Sequence, residues 1–152
     1  MDLESVKKLL EQEGDIEELV NGLRLRFFEP LIMNFLQVDL IEPGRIICSM
    51  KIPPRLLDSG NYLHSSVIAT LVDLVGSAAI RTVGGRVGVS VDINVSYLDA
   101  ASADDDIEIE AKALLVGKAV RVISVELRKK KTRKIFAQGR HTLYLPSAIS
   151  KM

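Results

Sequence analysis

The chain has 152 residues, 47% of them hydrophobic and 26% charged, which suits one globular domain with one core. Its 20 basic and 20 acidic residues cancel, so bulk charge attracts neither nucleic acid nor an anionic membrane, and neither is expected as a partner. The single cysteine, Cys48, excludes an intramolecular disulfide and a cysteine-rich metal site. The acidic start Met1-Asp2-Leu3-Glu4 lacks the basic-then-apolar order of a secretory signal, which points to a reducing interior compartment.

Residues 1–22 are predicted as an N-terminal helical segment, because Val6, Leu9, Leu10, Ile16, Leu19 and Val20 recur at roughly helical spacing, interrupted by Gly14. Residues 23–146 are expected to form one domain and 147–152 a short tail. Residues 23–35 are apolar but irregular and contain Pro30, so a short helix or a packed loop both fit. Residues 35–41 read as a strand, closed by the turn signal Glu42-Pro43-Gly44. Residues 45–52 alternate, with Ile46, Cys48, Met50 and Ile52 on one face. Pro53-Pro54 ends that strand because proline cannot donate to a sheet ladder.

A loop then leads to residues 67–80, VIATLVDLVGSAAI. This run is shorter than the ~20 residues a membrane span needs and has a carboxylate at its centre, so it is read as a helix buried in protein, with no membrane insertion. It fades at Gly84-Gly85. Residues 87–97 form the clearest strand: Val87, Val89, Val91, Ile93, Val95 and Tyr97 face one way, and Gly88, Ser90, Asp92, Asn94 and Ser96 the other. Residues 107–115, 121–127 and 135–145 complete four successive strands. Strands joined by short turns pair antiparallel, so the class is α+β. A helix that is apolar nearly all round must be enclosed. One antiparallel sheet wrapped around a long central helix, the hotdog architecture, would enclose it.

Asp73 is the only charged side chain between Ser65 and Ile80. An ionised carboxylate buried without a partner costs several kcal/mol, so packing alone would favour an apolar residue there. Asp73 is therefore the leading catalytic candidate, against an aspartate that faces solvent or caps the backbone. Ser77 lies one turn on along the same face, where it could steer a water or simply bond back to the helix. His64-Ser65-Ser66 stands at the helix start, where unpaired N–H groups and the dipole favour a developing oxyanion. Ser65 could equally be an N-cap, and His64 a structural residue tying down the loop. The basic run Arg128, Lys129, Lys130, Lys131, Arg133 and Lys134 suits phosphates at a pocket mouth or a solvated hairpin turn. Asp104-Asp105-Asp106 has no histidine or fourth ligand nearby, so no metal is expected. Ser150-Lys151-Met152 is similar to the peroxisomal Ser-Lys-Leu address, so the expected location is peroxisomal or cytoplasmic.

Residues 63–73, LHSSVIATLVD, resemble the H-G-G signature of hotdog thioesterases, whose helix begins at the motif and carries Asp or Glu nine residues past the histidine. Asp73 meets that spacing. Residues 88–97, GVSVDINVSY, and 137–142, AQGRHT, are similar to segments of acyl-CoA thioesterases of the thioesterase superfamily member 2 type. The resemblance covers about residues 35–145. It implies hydrolysis of an acyl- or aroyl-CoA thioester, without a cofactor, by a homodimer paired through its sheets or by a dimer of such dimers. It places the active site at the subunit interface. There Ser65 N–H of one subunit is the oxyanion donor, Asp73 of the other is general base or nucleophile, and Ser90 is a positioning hydroxyl. Asp58, His64, Ser66, Ser77, Arg128 and Lys130 are the expected substrate contacts.

Two departures stand out. Both motif glycines are serines here, Ser65 and Ser66, which restricts close backbone approach. Six residues before His64, where the family often has Asn or Gln, stands Asp58, with Asn61 as a candidate for that role through a shifted loop. A second carboxylate there would repel Asp73 or raise one pKa. The serines leave a non-enzymatic acyl-CoA-binding module as the alternative. A hotdog hydratase would need a histidine paired with an acid, and neither His64 nor His141 has the motif expected for that.

Overall fold

The structure, a computed structural model, describes residues 26–147. The helical segment expected over residues 1–22 and the Ser150-Lys151-Met152 address lie outside the described residues. The chain divides into two compact units, Met1–Leu31 and Ile32–Met152, and every strand belongs to the second. The helix-or-loop alternative over residues 23–35 resolves as a short helix, α1 (Phe28–Met33), with Pro30 in its first turn, where its missing N–H has no intrahelical partner to lose.

Six strands form one sheet: β1 (Gln37–Glu42), β2 (Arg45–Lys51), β3 (Val89–Tyr97), β4 (Asp106–Val116), β5 (Val120–Lys129) and β6 (Ile135–Tyr144). Their order is β1-β2-β4-β5-β6-β3, and every neighbouring pair is antiparallel. One long helix, α2 (Ser65–Arg81), lies against one face. This is the hotdog fold.

The core follows from two periodicities. Along α2, Val67, Ile68, Leu71, Val72, Val75, Gly76, Ala79 and Ile80 are buried at helical spacing. Along the central strands, burial alternates with period two: Ile107, Ile109 and Ala111 on β4, Ile123, Val125 and Leu127 on β5. Each fully buried Leu, Ile or Val contributes roughly 2 kcal/mol of transfer free energy. Gly139 on β6 marks the tightest approach, since a Cβ there would lie 2.7 Å from both methyls of Val72. That contact draws α2 onto β6 and brings Asp73, one residue past Val72, beside His141, two residues past Gly139.

The topology departs from the sequence expectation at β3. Its successor β4 does not pair with it; β4 pairs with β2 and β5, while β3 pairs with β6 at the far edge. The connection from β3 to β4 passes by the start of α2 instead, with Leu63 N donating to Ala101 O at 2.8 Å. One edge of β3 thus lacks a partner strand among the described residues, and every residue of it except Val95 is exposed.

The opposite face of the sheet carries ion pairs. Glu110, only 6% exposed, accepts from Arg45 Nε at 2.8 Å, Arg128 Nη2 at 2.9 Å and Lys112 Nζ at 3.1 Å. Arg128 also donates to Glu108 at 3.0 Å and Glu126 at 2.6 Å.

Candidate active site

The loop before α2 is built by backbone requirements. Asp58 Oδ1 accepts from Gly60 N at 2.8 Å and Tyr62 N at 3.1 Å, and Leu57 bridges Leu63 across the turn. Asn61, exposed at the tip, has φ +64°, a left-handed conformation that asparagine tolerates better than most residues. Both residue types are thereby explained by the turn.

The helix start is arranged so that one amide is left over. His64 is the N-cap, and its Nδ1 accepts from Ser66 N at 3.1 Å and stands 2.7 Å from Ser66 Oγ. Because an amide can only donate, Nδ1 holds a lone pair and the ring proton is assigned to Nε2. Val67 N and Ile68 N both donate to His64 O. Ser65 N–H makes no hydrogen bond among the described residues, while its carbonyl accepts from Tyr97 Oη of β3 at 3.2 Å. The serines at 65 and 66 therefore do not close the helix start.

Asp73 opens onto a cleft of about 440 Å³ lined by Ala69, Thr70, Ile93, Val95 and Tyr97. It is not enclosed as the sequence suggested, for 42% of its side chain is exposed. The reason is that α2 is not apolar all round: Thr70, Asp73 and Ser77 form a polar flank beside the buried stripe. Asp73 Oδ1 receives a long hydrogen bond from Ser77 Oγ, 3.4 Å, and lies 3.6 Å from His141 Nε2. No described lysine or arginine pairs with it.

His141 is the residue that sequence reasoning missed. It is fully buried, its Nε2 is 2.7 Å from Ser90 Oγ, and its Nδ1 has no partner among the described residues. Placing the proton on Nε2 leaves a lone pair rather than an N–H unpaired, and lets Nε2 donate to Ser90. Burial lowers the imidazole pKa below its usual 6.5, against the opposing pull of Asp73, so the ring is neutral at neutral pH. The signal was present in the sequence: His141 falls on the inward parity of β6, two residues from Gly139, where a polar side chain needs a reason.

Ser90 reaches this group through an irregularity. Strict alternation would put it on the face of Asp92, Asn94 and Ser96, but the register of β3 on β6 shifts between Ser90 and Asp92. The extra residue, Val91, returns Ser90 to the face that carries Ile93 and Val95, as β-bulges do. Asp92, Asn94 and Ser96 stay on the other face with Gln138 and Arg140.

One of the two expected phosphate contacts is revised. Arg128 is engaged by Glu108, Glu110 and Glu126 and is nearly buried, which leaves no fork for a phosphate. Lys130 is exposed, with Asp39 4.0 Å away, so its ammonium stays open to solvent and the expectation at this position stands as it was. Among the described residues no group of three His, Cys, Asp or Glu side chains could hold a metal ion.

The thioesterase superfamily model matches residues 60–136, the span that holds α2, Asp73, Ser90 and most of the sheet. Acyl-coenzyme A thioesterase 13 of Homo sapiens is 42% identical over 132 residues, 86% of this chain and 94% of that protein. The crystal structure of zebrafish thioesterase superfamily member 2 superposes with a TM-score of 0.75 at 37% identity, covering 76% of this chain and 85% of its own. That of thioesterase superfamily member 2 from Mus musculus gives 0.74 at 31% identity, covering 89% and 100%.

Proposed function

This chain belongs to the thioesterase superfamily, and from that premise we propose that it hydrolyses the thioester of an acyl- or aroyl-CoA to the free acid and coenzyme A. The observation that carries the reading is Asp73: a carboxylate without a cation among the described residues, open to an apolar-walled cleft, with a neutral histidine and a serine hydroxyl beside it. Its free lone pairs can take a proton from water, or one oxygen can attack the carbonyl carbon. Ser90, receiving a hydrogen bond from His141, keeps its own proton to donate, which suits it to hold the attacking water.

Ser65 N–H is the proposed donor to the thioester carbonyl, whose oxygen gains charge as the tetrahedral intermediate forms. Collapse of that intermediate expels the coenzyme A thiolate, which takes up the proton released by water. Ser65 and Asp73 of one chain cannot share a substrate, because the eight helical rises from one to the other separate them by about 12 Å. Ser65 of one copy must then meet Asp73 of another. The edge of β3, nine residues long and unpaired among the described residues, is the surface for that pairing about a two-fold axis. A dimer of dimers is compatible with this arrangement and is not required by it. The acyl group is proposed to lie along Ile93, Val95 and Ala69.

A panel of acyl-CoAs of increasing chain length plus benzoyl- and phenylacetyl-CoA, read by thiol release, tests the reading. Saturable hydrolysis of at least one is expected. Binding of these compounds without thiol release would replace the enzyme with an acyl-CoA-binding module.

A further inference from the structure

Arg121 is buried on β5, 8% exposed, and no described carboxylate pairs with it. Its Nε has no hydrogen-bond partner among the described residues. A guanidinium buried on such terms is costly, so what it does contact is informative. Nη1 donates to Gly84 O at 3.2 Å, in the loop that follows α2. Nη2 lies against Gly85, where a Cβ would come within 3.1 Å of it. The cation thus stands at the partly negative end of the helix and holds the loop between α2 and β3.

That loop delivers Ser90. Gly84, Gly85 and Gly88 all have positive φ, and a Cβ at Gly88 would strike Tyr144 O at 2.6 Å, so the loop is seated on β6 as well. Arg121 pairs with Leu143, and Leu143 with Ser90, placing the arginine and the serine in one row across three strands. Immediately after Ser90 comes the bulge. A slip of one residue there would carry Ser90 to the opposite face, away from His141.

We infer that Arg121 is a positioning residue: by fixing the Gly84–Gly88 loop it holds the register that keeps the Ser90 hydroxyl on His141. The inference rests on the role of Ser90 given under Proposed function. Arg121→Met keeps the stem and removes every donor. It lowers kcat by about tenfold, leaves KM within about twofold, and is partly rescued in Arg121→Lys.

The decisive experiment is a cycle with Ser90→Ala in the full chain, with circular dichroism and thermal melts as controls. If Arg121 acts through Ser90, the Arg121→Met/Ser90→Ala double variant has the kcat of Ser90→Ala alone. Multiplicative losses, or wild-type kcat in Arg121→Met, overturn the inference. If Arg121→Met does not fold, the same cycle is run with Arg121→Lys, where again only non-additive losses agree. Wild-type turnover in Ser90→Ala also overturns it, and identifies the fault as the role of Ser90 rather than the loop.

Discussion

Asp73 and Glu110 are two carboxylates of one domain with opposite surroundings. Glu110 is almost fully buried, and burial alone would push its carboxyl up. The hydrogen bonds from Arg45, Lys112 and Arg128 outweigh that and bring it down to about 2. Asp73 is far more open, yet among the described residues it has no cation, only a long bond from Ser77 and a neutral imidazole beside it. Every strong acceptor site on Glu110 is filled, so it has nothing to offer a ligand. Asp73 has lone pairs free over a cleft. Saturation, rather than burial, separates the structural carboxylate from the one suited to chemistry.

The largest effect should come from removing the unsaturated one. Asp73→Asn is expected to lower acyl-CoA turnover by about a thousandfold. Because no ion pair is lost, the melting temperature should barely move. Near-wild-type turnover in this variant would break the comparison on its functional side. Glu110→Gln should behave in reverse, losing about 2 kcal/mol of stability while kcat per folded molecule stays within about twofold. A chemical denaturation midpoint equal to wild type would show that the three cations contribute nothing.

Acid titration sharpens the contrast. The His141 imidazole is held below 6.5 by burial, so the unfolded chain binds the proton more readily, and stability begins to fall as pH drops below about 6.5. Glu110 is lowered from 4.5 to about 2, so its contribution is whole above 4.5 and is lost as pH falls from 4.5 toward 2. Thermal melts against pH should therefore decline in two windows. His141→Gln, which keeps a donor for Ser90, should remove only the upper decline, and Glu110→Gln only the lower. The same pH profile in wild type and both variants would refute these assignments.

The smallest effect concerns Asp58, a third carboxylate with one oxygen occupied by two amides. Asp58→Asn retains that acceptor and should be neutral for stability, whereas Asp58→Ala should cost about 1 kcal/mol. Equal melting temperatures for the two variants would deny the turn its anchor.

Most of the fold was legible because it rests on local signals. The alternation of residues 45–52, the prolines after it and the apolar run around Asp73 each predict an element that is present. Strand pairing was less accessible, since nothing in the connection from β3 to β4 states that β3 crosses to β6. Ser90 illustrates the limit: strict alternation assigned it to the wrong face, and the bulge that reverses the assignment has no residue signature in GVSVDI. Arg128 read as a phosphate contact because its partners Glu108, Glu110 and Glu126 come from two strands that only the sheet brings together. His141 was passed over because its acid, Asp73, is 68 residues away in sequence and arrives through the close approach of Val72 to Gly139.

The central claim is that Asp73 works with the helix start of a second copy, and mixing two inactive variants tests it directly. Ser65→Pro deletes the proposed donor at the first helical position, where proline is tolerated. His64 before it already has the extended backbone, φ −61° and ψ 134°, that a following proline requires. Ser65→Pro and Asp73→Asn homodimers should each be nearly inactive. Co-expressed with separate tags, half of the random dimers are mixed and each mixed dimer holds one intact site of two, so about a quarter of wild-type activity should return. Activity no higher than the sum of the parents would contradict the shared site and remove Ser65 N–H as the donor that serves Asp73.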